Sequence, residues 1–140
     1  MNVVYTAVAT ATGDGRNGHT ATSDNLVSHD LAVPVEMGGP GGATNPEQLF
    51  AAGYAACFHS ALTMVARTRK TAIGDSAVTA EVGIGQLDSG GFGLTVALHA
   101  EIGGVDQATA DELVAAAHDV CPYSNATRGN VGVTVDATVA

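Results

Sequence analysis

The longest apolar segment, NPEQLFAAGYAACFHSAL at residues 45–62, is apolar nearly all the way round a helix. Asn45 is a suitable N-cap, Pro46 suits the first helical position, and Glu47 favours the positive end of the helix dipole. Basic residues between positions 67 and 70 mark the negative end. The pattern therefore predicts one helix from residue 46 to about residue 70, about 40 Å long, as the central element of the fold.

Segments rich in Val, Thr and Ala lie on both sides of this helix and predict strands. The strands are expected at residues 2–11, once or twice within 19–35, at 77–87, at 91–102 and at 131–139. A second helix is predicted at 106–120, ended by Cys121-Pro122, and CPYSNATRGN at 121–130 is predicted to be a loop. The order of these elements indicates a single α+β domain over residues 1–140 with mostly antiparallel sheets.

The composition changes this picture in two ways. Hydrophobic residues make up 46% of the 140 residues and charged residues only 14%. So little surface charge is unusual for a small monomer, and part of the surface is expected to be covered by a second copy of the chain. The formal net charge is −9, and because an acidic protein repels phosphate backbones, nucleic-acid binding is not expected.

The segment at 49–66 has no charged side chain and approaches transmembrane length. Polar residues within it, such as Tyr54, His59 and Thr63, favour a buried core helix over a membrane span. The first ten residues, MNVVYTAVAT, lack a basic stretch followed by an apolar run, which predicts no signal peptide. The expected location is therefore a reducing cytoplasm, where two cysteines are more often catalytic or inert than a structural disulfide.

The only two cysteines, Cys57 and Cys121, are the candidate redox centre. A thiol in apolar surroundings has a raised pKa, so Cys57 alone could equally be an inert buried residue. It lies too far from the helix N-terminus for the dipole to act on it, so a reactive thiolate would need an arginine, which stays charged when desolvated. As a pair, one thiol can attack an oxidant and become a sulfenic acid, and the second thiol can then condense with it.

The histidines allow two other interpretations, a Cys–His hydrolase and a zinc site. His59 is two residues from Cys57, and His118 is three residues before Cys121. However, His59 projects roughly 200° away from Cys57 on the helix. No CxxC or HxxxH spacing supports zinc. Both interpretations are therefore disfavoured, and no metal is expected.

Two long motifs, NPEQLFAAGYAACF at 45–58 and VCPYSNATRGN at 120–130, resemble those of the organic hydroperoxide resistance (Ohr) proteins, a branch of the OsmC/Ohr superfamily. TATGDGR at 10–16, GGPGGATNPEQ at 38–48 and GIGQLDSGGFGL at 83–94 extend the resemblance over nearly the whole chain. It implies an OsmC/Ohr-like fold with mostly antiparallel sheets wrapped around a long central helix in an intertwined homodimer. It also implies a thiol-dependent peroxidase that reduces alkyl or lipid hydroperoxides to alcohols through a sulfenic acid and an intramolecular disulfide.

The resemblance also implies a role for each motif residue. Cys57 corresponds to the attacking cysteine and Cys121 to the resolving one. The family's arginine corresponds to Arg16, and its partner glutamate to Glu47, which would hold the guanidinium by two hydrogen bonds. Such an arginine would lower the pKa of Cys57 and polarise the peroxide. The turn TGDGRNG is one residue longer before the arginine than the family's usual form, and Arg128 is the alternative.

The substrate and the assembly follow from these assignments. The candidate apolar lining, which would favour organic hydroperoxides over hydrogen peroxide but equally suits ordinary core packing, is Leu49, Phe50, Tyr54 and Phe58. Glu47 and Cys57 are about 15 Å apart along one helix, so one arginine can hardly serve both within a subunit. We therefore expect Arg16 and Glu47 of one chain to serve Cys57 of the other, across a homodimer interface.

Turnover needs a reductant, and no nucleotide or haem motif points to a bound cofactor. The resemblance implies an external dithiol, dihydrolipoamide carried on lipoylated proteins. Two alternatives remain: an OsmC-type peroxidase with broader peroxide use, and a redox-sensing or small-ligand-binding protein that does not turn over. The chain lacks a recognisable DNA-binding element, which weakens the sensor interpretation.

Overall fold

The computed structural model describes all 140 residues and divides them into two compact units, residues 1–49 and residues 50–140. The prediction of one domain over residues 1–140 stays a prediction. Two three-stranded sheets and a long helix form an α+β fold, as the sequence predicts. Five of the six strand segments lie in antiparallel pairs, and only the last strand joins its sheet in parallel.

The first unit contains a small antiparallel sheet of β1 (Ala9–Thr12), β2 (His19–Thr22) and β3 (Ser28–Asp30). Residues 1–8, predicted as part of a strand over 2–11, form no regular secondary structure, because β2 ends opposite Ala9 and gives them no further partner. The turn between β1 and β2 contains a short 3-10 helix, Gly15–Asn17. Gly13 and Gly15 adopt left-handed backbone angles there, which glycine reaches without steric cost. This turn carries Arg16.

The long helix α1 spans Pro46–Thr68 and confirms the prediction. The side chain of Asn45 accepts a hydrogen bond from the backbone N–H of Gln48 at 2.9 Å and caps the first turn. The helix ends two residues earlier than predicted, because Lys70 takes a left-handed backbone conformation. By length and composition α1 could cross a membrane, but a core helix passes the same test, and the buried face of α1 packs within a hydrophobic core.

The second unit is built on a sheet of β4 (Ser76–Gln86), β5 (Phe92–Ile102) and β6 (Val133–Val139). The predicted hairpin of β4 and β5 is present, with Ser76 opposite Ile102 and Gln86 opposite Phe92. Every second residue in the second half of β5 is buried, from Val96 to Ile102, as expected for a sheet with one face on the core. The buried side chains of α1 pack in the same cluster as this face.

Two further helices form the connection between β5 and β6. Helix α2 spans Gln107–Val120, and the side chain of Asp106 caps it by accepting from Thr109 N–H at 2.8 Å. The segment predicted as a loop over 121–130 instead contains a third helix, α3 (Pro122–Thr127). Pro122 ends α2, but it also suits the first position of a new helix, and this second property decides the local structure. Cys121 thus joins the two helices.

Candidate active site

The two cysteines lie side by side in the second unit. Cys57 is on α1 and Cys121 lies between α2 and α3, and their sulfur atoms are 3.7 Å apart. Both are free thiols; Cys121 is completely buried, whereas Cys57 is partly exposed. An incoming oxidant can therefore reach Cys57, and Cys121 lies close enough to bond with it afterwards. The fold brings together residues that are 64 positions apart in the sequence.

The surroundings of Cys57 act on its pKa in opposing ways. Burial raises the pKa of the thiol, and the neighbouring Cys121 raises it further. The backbone N–H of Tyr123, in the first turn of α3, donates to the sulfur and lowers the pKa, but burial outweighs it. No basic side chain of residues 50–140 is among the groups that lower it. Within this unit the thiolate is therefore unfavourable, and a reactive Cys57 needs a cation from elsewhere.

Arg16 and Glu47 form a two-pronged ion pair in the first unit. The two terminal nitrogens of Arg16 donate to the two carboxylate oxygens of Glu47, at 2.9 and 2.7 Å. The predicted hydrogen bonding between these residues is thus present, despite the longer turn before Arg16. Glu47 is only 13% exposed and Arg16 37% exposed, so the pair fixes the guanidinium while one side stays open to solvent. Such a fixed planar cation suits an anion or a polarised oxygen.

The ion pair makes a pH-dependent contribution to stability. Arg16 lowers the pKa of Glu47 in the folded protein, so the stabilisation is present above the unfolded-state pKa, near 4.5, and is lost as pH falls through the lower folded-state pKa. We expect Glu47→Gln to lower the free energy of unfolding by up to about 1 kcal/mol at neutral pH. In urea unfolding the gap to wild type should close in acid. Glu36→Gln, an exposed acid in the same unit, is the matched control, and a gap independent of pH would contradict this assignment.

Arg128, the alternative arginine, is engaged in the second unit. Its guanidinium donates to the side-chain oxygen of Asn125 at 2.6 Å and to the backbone oxygen of His118 at 2.7 Å. These bonds tie the end of α3 to α2. Of the two candidate arginines, Arg16 is the one that pairs with a carboxylate, as predicted for the family's arginine.

The four candidate lining residues differ in burial. Tyr54 and Phe58 are completely buried in the core, whereas Leu49 and Phe50 are partly exposed. Within the second unit, the rings of Phe50, Tyr54 and Tyr123 form an aromatic cluster with centroids 5.7–6.3 Å apart. Leu49 and Phe50 are thus the two whose side chains are open to an apolar molecule, and a lining role for all four residues stays a prediction.

Histidine chemistry finds no support in the site. His59 contacts the hydroxyl of Ser76 at 2.9 Å and His118 contacts that of Ser124 at 2.8 Å, so neither ring hydrogen-bonds to a thiol. No group of three or more His, Cys, Asp or Glu side chains is arranged to hold a metal ion.

Sequence reasoning missed a buried polar network beside the cysteines. The hydroxyl of Tyr54 contacts those of Ser124 at 3.0 Å and Thr127 at 3.1 Å, and Ser124 also contacts His118. Ser124 and Thr127 lie on the third helix, in the segment predicted as a loop. Ser124 and Thr127 are three residues apart and follow Pro122, so on a helix both hydroxyls would lie on one face. This spacing was the signal in the sequence that could have predicted a polar helical face.

Comparison with known proteins shows the family of the chain. A family model described as OsmC-like protein matches residues 39–136, more than half of the chain. The chain belongs to the OsmC-like family. The matched range contains α1, β4, β5, the first half of β6 and both cysteines.

Relatives within the OsmC-like family are similar over nearly their whole length. An organic hydroperoxide resistance protein of Xanthomonas axonopodis pv. citri is 53% identical, over 95% of this chain and 94% of its own. A crystal structure of an organic hydroperoxide resistance protein from Legionella pneumophila has 56% identity and a TM-score of 0.95, covering 99% of this chain and 100% of that one. OhrB of Bacillus subtilis has 44% identity and a TM-score of 0.88, covering 97% and 100%. The OsmC/Ohr-like fold and the Ohr resemblance are therefore confirmed.

Proposed function

We propose that this protein is a thiol-dependent peroxidase of organic hydroperoxides. The observation that supports it most is the 3.7 Å approach of two free thiols, one partly exposed and one buried, in a family whose relatives are named for organic hydroperoxide resistance. A lone buried cysteine would be an ordinary core residue. Two cysteines in contact distance, with different access to solvent, suit an attacking and a resolving role.

The proposed reaction oxidises the two thiols in two steps, and a third step reduces them again. The Cys57 thiolate attacks the terminal peroxide oxygen, the O–O bond breaks, and the leaving alkoxide takes a proton to become the alcohol. Cys57 is then a sulfenic acid. The Cys121 sulfur attacks the Cys57 sulfur, a disulfide forms, and the hydroxyl leaves as water with the thiol proton. A dithiol outside the chain reduces the disulfide and is itself oxidised to a disulfide.

The first step needs a cation beside Cys57, and we propose that Arg16 of a second copy supplies it. The basic side chains of residues 50–140 do not lower the pKa of Cys57, whereas the Arg16 guanidinium is held fixed by Glu47. Placed against Cys57, it would favour the thiolate and stabilise the charge that develops on the leaving oxygen. Each subunit would thus contribute its cysteines to one site and its ion pair to the other.

One face of α1 supports such a homodimer. Exposed residues recur at every fourth position along it: Gln48, Ala52, Ala56, Ser60 and Met64. Four of these side chains are small or apolar, and Met64 is 49% exposed. A helix face of this kind, on a chain with only 14% charged residues, suits cover by a second copy rather than contact with water.

The substrate class and the reductant follow the same proposal. Partly exposed Phe50, beside the rings of Tyr54 and Tyr123, offers an apolar surface that suits an alkyl or lipid hydroperoxide. We propose a dithiol such as dihydrolipoamide on lipoylated proteins as reductant, in a reducing cytoplasm. Consumption of cumene hydroperoxide with dihydrolipoamide tests the function: a peroxidase consumes many equivalents per chain, and a sensor stops after one.

Replacing Cys121 by serine separates the two steps. We expect Cys121→Ser, given one equivalent of hydroperoxide and no dithiol, to reduce it at near the wild-type rate and to remain as the sulfenic acid, because the chain has no second thiol to resolve it. With excess hydroperoxide, mass spectrometry of the intact protein should show Cys57 oxidised to sulfinic acid. Ser124→Ala is not a suitable control, since it breaks the polar network. Ser89→Ala, at an exposed position in the turn between β4 and β5, is the matched control. Continued turnover of Cys121→Ser would contradict the resolving role.

A further inference from the structure

The hydrogen atoms of the buried polar network beside the cysteines can be counted, and the count shows which group donates in each hydrogen bond. The network has four contacts, the last of them shared between two carbonyls: His118 with Ser124, Ser124 with Tyr54, Tyr54 with Thr127, and the single Thr127 hydrogen with the backbone carbonyls of Tyr123 and Ser124. Each contact needs one hydrogen, and the three hydroxyls supply one each. No buried side-chain polar atom lacks a partner. For all four contacts to be hydrogen bonds at once, a fourth hydrogen has to come from His118.

The count assigns a direction to the chain of hydrogen bonds. Thr127 must donate to the carbonyls, which have no hydrogen of their own, so Tyr54 donates to Thr127. Ser124 then donates to Tyr54, and the contact with His118 is left without a hydroxyl hydrogen. It must come from Nδ1 of His118. Burial and the nearby charge of Arg128 lower the pKa of His118, which favours the neutral ring. The hydrogen count then places the single ring hydrogen on Nδ1.

We propose that this directed chain, His118 to Ser124 to Tyr54 to Thr127, is the positioning device for the resolving cysteine. The inference rests on the proposed function for its catalytic meaning. Helix α3 has only six residues, too few to be stable without tertiary contacts, and Cys121 lies directly at its start. The hydroxyl chain binds this short helix to α1 and α2 and so fixes where the Cys121 sulfur lies.

The position of Tyr54 makes the connection short. Tyr54 precedes Cys57 by three residues on α1, so both side chains leave the same side of that helix. The network therefore attaches α3 to α1 at Tyr54, which is one helical turn away from Cys57, the residue that Cys121 must reach. Gly53 completes the contact, since a Cβ at that position would lie 3.1 Å from the ring of Tyr123. With a bare backbone there, α3 approaches α1 closely.

The positioning matters because the sulfenic acid has two fates. It can condense with the Cys121 thiol and release water, or a second hydroperoxide can oxidise it to sulfinic acid and leave as alcohol. The first fate depends on how often the Cys121 sulfur lies in contact with Cys57. Loosening α3 should therefore slow disulfide formation and increase overoxidation. It should slow the attack on the first hydroperoxide less, because α3 contributes to that step only the Tyr123 N–H, beside Cys57 itself and its cation.

The test uses variants that delete one hydroxyl each in the full-length protein. Tyr54→Phe and Thr127→Val remove a network hydroxyl with little change of shape; Thr127→Ser keeps the hydroxyl, and Tyr5→Phe deletes a phenol oxygen at an exposed site. Quenched-flow mass spectrometry measures sulfenic acid formation and disulfide formation with cumene hydroperoxide. We expect disulfide formation to slow about tenfold in Tyr54→Phe and Thr127→Val, with the hydroperoxide concentration for half overoxidation falling by the same factor. Thr127→Ser and Tyr5→Phe should resemble wild type.

Disulfide formation by diamide separates this inference from the peroxidase proposal. Diamide takes up both thiol hydrogens and becomes a hydrazine, so the Cys57–Cys121 bond forms without any peroxide. If wild type does not react with hydroperoxides, the peroxidase proposal fails, but the hydroxyl deletions should still slow disulfide formation by diamide. Unchanged rates in folded Tyr54→Phe and Thr127→Val would overturn the inference. So would ¹⁵N chemical shifts that place the His118 hydrogen on Nε2, because the directed chain requires it on Nδ1.

Discussion

Cys57→Ser is expected to reduce hydroperoxide consumption at least about 10³-fold, because a serine hydroxyl has neither the acidity nor the nucleophilicity of the thiol. Even a single turnover should be lost, which distinguishes this variant from Cys121→Ser. The measurement is the loss of cumene hydroperoxide with dihydrolipoamide present, followed by mass spectrometry for any oxidised sulfur. The partial exposure of Cys57 and the complete burial of Cys121 are the structural reason for this order of attack.

The comparison also has a clear contrary outcome. If Cys57→Ser still reduces one equivalent and Cys121→Ser does not, the two cysteines have the opposite roles. If both variants keep full activity, the reaction does not use these thiols and the proposed function is wrong. Because serine differs from cysteine by a single atom, each variant is expected to fold. Circular dichroism and thermal unfolding check that loss of fold is not the cause of lost activity.

Arg16→Met is expected to lower the rate of the first step by about 10²–10³-fold, as for removal of one charged donor from an anionic transition state. It should also raise the pKa of Cys57, since burial already opposes the thiolate and no basic residue in 50–140 compensates. The pH dependence of alkylation of Cys57 measures this pKa. Arg69→Met, which removes an exposed arginine beyond the end of α1, is the matched control and should leave both quantities unchanged.

Mixed dimers decide whether Arg16 acts across subunits. Arg16→Met and Cys57→Ser homodimers should both be nearly inactive. After unfolding and refolding of an equimolar mixture, half of the dimers contain one chain of each kind. If the site is shared, each such dimer has one complete site, and the mixture should recover about a quarter of the wild-type activity. If Arg16 serves the cysteine of its own chain, no complete site forms and activity is not restored.

Most of the fold could be predicted because its signals are local. The N-cap and first turn at Asn45, the hairpin around residues 87–91 and the start of α2 all follow from side-chain chemistry within a few positions, and the structure has them. The failures are also informative. Residues 1–8 have strand-forming side chains but no partner strand, and pairing is not a local property.

The candidate site was predictable only in part. Cysteine number and the family motifs identified Cys57, Cys121, Arg16 and Glu47. The polar network was not recognised, because its members come from three helices and their contact depends on packing. The third helix was not predicted, because proline both ends a helix and suits the first position of the next one, and the sequence alone did not show which property applies at Pro122. The pKa of Cys57 likewise depends on burial, which the sequence pattern does not quantify.

The wide sequence separation of the two neighbouring thiols has a consequence for the stability of the oxidised protein. In the proposed cycle, the disulfide links positions 64 residues apart and encloses β4, β5 and α2 in a covalent ring. In the chain-entropy account, closing a ring of that size disfavours the unfolded chain by about 4 kcal/mol. The free energy of unfolding would then be highest in the disulfide form, just after the protein has reacted with an oxidant. Reduction by the dithiol would return the protein to the dithiol form, which unfolds more easily.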